Sequence, residues 1–210
     1  PWCGEDIAGK TLLIWNEQGF GDALIYARYL PVLAARGVKV RLMVEAPLIR
    51  LFERSFEDIP VSPLDGPPPE ADQHCSIMSL PFLTATTMTA IPAEVPYLKP
   101  DQADVERWQA EINGERPSVG LVWAGNPGQA HDYSRSLAPE TIMPLIDRDD
   151  VQFFNLLVGP RGDELSDPRV LDVRACLNDF AQTAALMQNL DLVISVDSAP
   201  AHLAGALGRP

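Results

Sequence analysis

DLVISVDSAPAHLAGALGRP, from Asp191 to Pro210, is the stretch whose reading decides the fold. The apolar run at 192–196 reads as a buried strand that stops at Asp197-Ser198. Ala199-Pro200 then opens a helix of small residues, Ala201, Ala204, Gly205 and Ala206. A hydroxyl followed by proline in the first turn is helix-start chemistry. Such a strand-to-helix handover gathers an acid, a hydroxyl and free backbone N–H groups at one sheet edge. Open α/β sheets take ligands at that edge, and a helix N-terminus there suits a phosphate. A capped helix in any α/β domain reads the same way, so the segment points to a fold class before it points to a function.

The same grammar recurs upstream. TLLIW at Thr11–Trp15 is a short apolar strand, followed by the loop Asn16-Glu17-Gln18-Gly19-Phe20-Gly21. From Asp22 the period becomes helical, with Leu24, Ile25, Arg28, Pro31, Val32 and Ala35 on one face, a bend expected at Pro31 and a stop at Gly37. Residues 38–44 alternate as a second strand and 46–53 read as a short helix, a βαβα unit with a right-handed crossover. Two short strands, near Val61 and at 74–78, flank a proline-rich loop, and 91–100 (IPAEVPYLKP) is an extended connector into an amphipathic helix at 101–112. The pattern then restarts. Strands at 118–123, 151–157 and 192–196 alternate with helices at 139–146 and 177–190, the latter with Asp179 in its first turn, and with loops at 124–136 and 159–163. Two such units predict two Rossmann-like domains facing a cleft, at 1–114 and 115–210. An alternating pattern calls for another strand after the last helix, so the second domain reads as C-terminally incomplete and the chain as a piece of a longer polypeptide.

Composition narrows the partners. The 210 residues are 46% hydrophobic and 21% charged, enough apolar content for a core, and 16 basic against 29 acidic residues leave a net charge of −13. Nucleic acid and anionic membrane surfaces need a basic face and are poor partners; a phosphorylated ligand needs only a local cluster of donors. Cys3, Cys75 and Cys176 are far apart with no CxxC spacing, which fits reduced thiols in the cytoplasm rather than disulfides or a zinc site. No run approaches the ~20 apolar residues of a transmembrane segment, and no secretion signal is present.

Asp22, directly after Gly19-Phe20-Gly21, stands where a carboxylate could act as a general base on a hydroxyl, although capping the helix is the commoner task for an acid there. GFGD is not the GxGxxG dinucleotide fingerprint. In the 124–136 loop, Asn126 suits a turn and Arg135 could fork onto a diphosphate, its alternative being a solvated surface arginine. His202, one turn into the last helix among alanines, reads as structural, as do His74, Cys75, Trp15 and Trp123.

Taken together, GKTLLIWNEQGFGDALIYARYLPVLAARG (9–37), SVGLVWAGNP (118–127), SRSL (134–137) and the opening stretch resemble glycosyltransferase family nine, the lipopolysaccharide heptosyltransferase group. The nearer resemblance is to the glycosyltransferase-like module that follows tetratricopeptide repeats in many bacterial proteins. It implies a B-type glycosyltransferase architecture of two Rossmann-like domains, with the first on the acceptor side and the second holding the nucleotide sugar. It further implies transfer of a sugar from a nucleotide-diphospho-sugar to a glycan or protein acceptor, metal-independent and inverting, with no separate cofactor. Asp22 falls on the family's acceptor-activating acid. Asn126, Arg135, Asp197, Ser198, Ala199 and His202 fall on the donor side, with Arg135 where heptosyltransferases carry lysine and Ser198 where Thr is usual. Glu17 and Gln18, with Gly19 and Gly21, match the acceptor-side loop of the repeat-linked subgroup. No Asp-x-Asp motif is placed to hold a metal beside the diphosphate. Two other functions remain open: a non-catalytic module binding a nucleotide sugar or a partner beside tetratricopeptide repeats, and a nucleotide-sugar epimerase. A nicotinamide oxidoreductase lacks its glycine fingerprint.

Overall fold

Strand β1 (Thr11–Trp15) is buried along its middle three residues, with Leu12 and Ile14 fully enclosed, as expected for a parallel strand covered on both faces. The computed structural model, which describes residues 1–210 apart from Asn113 and Glu115, resolves the chain into two compact units, Pro1–Lys99 and Pro100–Pro210.

In the first unit β1 hands over to α1 (Phe20–Tyr26), a 3-10 turn at Ala27–Tyr29, and α2 (Leu30–Ala35). Then follow β2 (Lys39–Val44), α3 (Ala46–Ser55), β3 (Val61–Pro63), β4 (Gln73–Ser76) and the short α4 (Leu80–Leu83). The sheet order is β3-β2-β1-β4, all parallel, with Leu13 opposite Arg41 on one side and His74 on the other. The helical segment buries a different face from the one expected. Leu24, Ala27, Leu30 and Leu33 are enclosed, while Pro31 and Ala35 are exposed. The cause is the 3-10 turn, whose three-residue period stacks side chains every third position and shifts the phase of a 3.6-residue pattern. Arg28 is therefore not a core-face residue. Its Nη1 donates to the Pro92 carbonyl at 3.3 Å and its Nη2 to Tyr97 Oη at 3.3 Å, and Tyr97 in turn donates to the Leu24 carbonyl, which pins the 91–97 connector against α1.

The second unit begins earlier than expected. Helix α5 (Gln102–Glu111), capped by Asp101, buries Trp108 within this unit rather than closing the first. Arg107 hydrogen-bonds Gln182, and Asn189 Nδ2 donates to the Val105 carbonyl at 3.0 Å, so its partners lie on or beside a later helix. Glu115, the first residue of the expected second domain, lies outside the described residues. Next come β5 (Ser118–Val122), α6 (Pro139–Ile146), β6 (Gln152–Asn155), β7 (Val170–Asp172), α7 (Phe180–Met187), β8 (Leu192–Ser195) and α8 (Ala199–Ala206). The order β7-β6-β5-β8, again all parallel, repeats the topology of the first unit.

Asp179 is the N-cap of α7, accepting from Gln182 N at 2.8 Å, so this helix starts three residues later than the periodicity predicts. Among the described residues β8 pairs with no strand but β5 and so lies at the sheet's edge, and Leu192 is exposed rather than buried. β5, by contrast, is buried throughout, and its first residue is anchored by Asp191, whose Oδ2 accepts from Ser118 N at 2.8 Å and Oγ at 3.0 Å. Those bonds, the backbone one first, hold the Asp191 carboxyl below its ordinary pKa.

Candidate functional site

In each sheet the chain runs outward from one central strand and returns on its other side, which opens a crevice at the carboxyl edge between the two reversing strands. The crevice of the first sheet lies between the loops after β1 and β4, and that of the second between the loops after β5 and β8.

At the first, Gly19 caps α1 and Asp22 occupies the third helical position. Asp22 Oδ2 accepts from Gly19 N–H at 3.1 Å, the return arm of a capping arrangement, which leaves Oδ1 outside that bond. Of the two alternatives read from the sequence, capping is the one seen in this bond, and the side chain is half-buried. Gly21 is half-buried in the first turn and Gln18 is exposed. Glu17 accepts a hydrogen bond from Ser76 across the β1–β4 crevice. Asn16, which no motif singled out, is buried and donates through Nδ2 to the Glu45 carboxylate at 3.0 Å and the Gln18 carbonyl at 3.0 Å, fixing the loop's path. Of the residues read as packing, Cys75 is buried, which pushes its thiol up to about 12, but His74 is exposed and stacks on the half-buried Trp15 at 5.2 Å.

At the second crevice the structure brings most of the expected residues together. Arg135 lies in the loop after β5, and its Nη1 donates at 2.9 Å to the carbonyl of Asp197 in the loop after β8, spanning the crevice. Its Nε donates to Asp132 Oδ1 at 3.1 Å and its Nη2 to Gln129. Ser198 is the N-cap of α8, and its hydroxyl lies 2.9 Å from Ser195 Oγ rather than capping the helix. Ala199 follows as the first helical residue, so its N–H has no intrahelical acceptor. His202 Nε2 lies 3.4 Å from Asp197 Oδ1, which ties one turn of α8 back to the loop. Asn126 stands apart: its Oδ1 accepts from Gly128 N at 2.9 Å in a local turn. Trp123, read as core, is fully buried.

Sequence reading missed the centre of this cluster, the buried Asp132. Its Oδ2 accepts from Ser136 Oγ at 2.8 Å and from Arg161 Nη1 at 3.3 Å, and Oδ1 takes Arg135. Burial works to raise its pKa, but the Ser136 hydroxyl, Arg135 and Arg161 outweigh it and hold the carboxyl below its ordinary value. Gly125 makes the pairing possible. A Cβ there would sit 2.5 Å from Arg135 Nε and closer still to Asp132 Oδ1, distances that real side chains do not tolerate. Among the described residues no group of His, Cys, Asp and Glu is arranged to hold a metal, and no helix is long and apolar enough to cross a membrane.

Comparison with known proteins bears directly on this second crevice. The model of Glycosyltransferase family 9 (heptosyltransferase) matches residues 175–210, which contain α7, β8, the Asp197-Ser198 turn and α8. Protein FlbA of Caulobacter vibrioides is 32% identical over an alignment covering all of this chain and 40% of that protein; the chain therefore spans well under half of this curated relative. The crystal structure of the glycosyl transferase family 9 from Veillonella parvula superposes with a TM-score of 0.69 at 12% identity, covering 98% of this chain and 81% of that one. The iron-containing dodecameric heptosyltransferase TibC from enterotoxigenic E. coli, in complex with ADP-D-β-D-heptose, gives 0.62 at 13% identity over 98% of this chain and 58% of that one. The family match at the crevice and the shared two-sheet architecture agree: residues 175–210 match glycosyltransferase family 9, and the chain has the fold of the glycosyltransferases it resembles.

Proposed function

We propose that this chain is the sugar-transferring module of a longer protein, moving a sugar from a nucleotide-diphospho-sugar to the hydroxyl of a glycan or protein acceptor. The observation that carries the reading is the bridge across the β5–β8 crevice from Arg135 to Asp197, the latter inside the segment that matches the family. A guanidinium, the free N–H of Ala199 and the dipole of α8 there converge on the kind of site that stabilises a departing diphosphate. In this reading Asp22 takes the acceptor proton through Oδ1 while Oδ2 holds the Gly19 N–H. The acceptor oxygen then attacks the anomeric carbon as the bond to the diphosphate breaks, with inversion. Asn126, Ser198 and His202 line the donor side, and Glu17, Gln18, Gly19 and Gly21 the acceptor side.

Metal independence belongs to the same reading. Asp147-Arg148-Asp149, the sequence's Asp-x-Asp triplet, follows α6 and so lies towards the amino edge of the sheet, with Asp147 paired to Arg169 at 2.9 Å. Three unpaired cysteines support a cytoplasmic setting, and tetratricopeptide repeats in the same polypeptide remain part of the proposal.

The test uses the full-length protein with ADP-heptose first, then other nucleotide sugars, each with and without candidate acceptors and with a chelator. Acceptor-dependent release of nucleoside diphosphate that survives chelation supports the reading. Conversion of donor alone identifies an epimerase, and donor binding without turnover a non-catalytic module.

A further inference from the structure

Arg161 lies in the loop after β6, the strand next to β5, within a 3-10 turn at Pro160–Glu164. Neighbouring parallel strands deliver their following loops to the same edge, which brings this loop beside the one carrying Arg135. The loop is built to hold position. Buried Asn155 donates to the Gly162 carbonyl at 3.0 Å and accepts from Leu157 N at 3.0 Å, using both ends of its amide. Gly162 leaves room for the Arg174 side chain and the Leu157 carbonyl, which a Cβ there would strike.

The result is an arrangement that stability alone does not call for: two guanidinium groups on opposite oxygens of one buried carboxylate. Arg135 Nε takes Asp132 Oδ1 and Arg161 Nη1 takes Asp132 Oδ2. One carboxylate balances one of these cations. The second is balanced from outside by Glu164, whose Oε1 lies 3.0 Å from Arg161 Nε and whose side chain is 39% exposed, against 7% for Asp132. Arg161 Nη2 hydrogen-bonds to nothing among the described residues. An exposed carboxylate is a weak, exchangeable partner. Two guanidinium forks held side by side with one such counter-ion match a doubly charged diphosphate, which could displace Glu164 and accept from both.

We infer that Arg161 is a second guanidinium of the donor diphosphate site, held in place with Arg135 by Asp132, with Glu164 occupying it until the diphosphate arrives. The inference rests on the donor reading proposed above and adds to it a residue and a gate. Asp132 is a positioning residue: it touches both arginines and no part of the substrate.

Calorimetric titration of the full-length protein with ADP, UDP, GDP and inorganic pyrophosphate tests it, with R135Q, R161Q, R161K and E164Q beside the wild type. R161Q should weaken the best-bound nucleoside diphosphate by roughly 10- to 100-fold, the worth of a charge-assisted hydrogen bond, while the matching nucleoside changes little. R161K keeps a cation against Asp132 and should recover part of the loss, which guards against misfolding as the cause. E164Q should tighten diphosphate binding several-fold, a gain that a purely structural Arg161–Glu164 pair would not produce. Wild-type affinity in R161Q with loss in R135Q overturns the inference and leaves the donor reading standing. An unchanged or weaker E164Q overturns the gate, and a wild type that binds none of the four probes overturns inference and donor reading together.

Discussion

Replacing Gly125 by alanine places a methyl group against the Arg135–Asp132 pair. The new Cβ would lie 2.5 Å from Arg135 Nε, about 0.9 Å inside the 3.4 Å at which ordinary contact begins. Asp132 is buried and held by Ser136 and Arg161, so it has nowhere to move; the Arg135 guanidinium, with a side chain 24% exposed, is the end that gives way. Withdrawing it stretches the 3.1 Å bond to Asp132 beyond hydrogen-bonding range and draws Nη1 off the Asp197 carbonyl. Two charge-assisted bonds carry about 1.5–3 kcal/mol each, and water recovers part of that at a partly exposed guanidinium, so the net cost is about 2 kcal/mol. In a chain of this size that lowers the melting temperature by about 4–8 °C. Binding of nucleoside diphosphate should fall further, by more than tenfold, because the displaced fork no longer spans the crevice. Differential scanning fluorimetry with and without ADP, UDP and GDP reads both effects. A G125A protein with wild-type melting temperature and wild-type diphosphate affinity would refute the claim that this glycine exists to let the pair form.

Asp22→Ala removes the acceptor for Gly19 N–H and should cost about 1 kcal/mol, whereas Asp22→Asn keeps an oxygen there and should melt close to wild type. If Asp22 is the general base, both lower the transfer rate by about 10²–10⁴-fold, and a transfer assay showing full activity in D22N removes it from the chemistry. Asp132 has a folded pKa depressed below its ordinary 3.8, so its stabilisation is complete above that value and is lost as pH falls through the lower folded one. Urea midpoints of wild type and D132N should accordingly stay a constant distance apart from pH 7 to about 5 and draw together as the pH falls below about 4; a gap that does not narrow on acidification contradicts the pairing. Asp191→Ala strips the Ser118 N–H of its acceptor and leaves the hydroxyl only the Asn189 carbonyl, and should destabilise by about 1–3 kcal/mol in urea denaturation, unlike D191N, which retains an acceptor.

Legibility in the sequence followed the range of the interactions. Apolar strands with turn residues at their ends, Thr11–Trp15 above all, and the proline-led helix Pro139–Ile146 could be read to the residue because local chemistry defines them. The helical segment after β1 was recognised but its buried face was not, since a single 3-10 turn moves the phase and no residue announces that turn. β7 went unread: it is three residues long, follows Asp167-Pro168-Arg169, and leaves Leu171 exposed, so neither alternation nor an apolar run marks it. At the second crevice the members on matched motifs, Arg135 and 197–199, were found. Asp132 and Arg161 were not, because they meet across 29 positions and only the β6-β5 adjacency brings them together. Gly159-Pro160-Arg161-Gly162 directly after a predicted strand was the available signal, a tight loop at a carboxyl edge carrying a cation.

The β5–β8 crevice is the proposed binding place of a nucleoside diphosphate. An amide-resolved NMR titration of the isotopically labelled chain with ADP, UDP and GDP tests that most directly. The expected result is saturable shifts at 124–126, 132–136 and 197–202 with one of the three. Saturable shifts confined to residues of the first unit, or none with any of them, would contradict it.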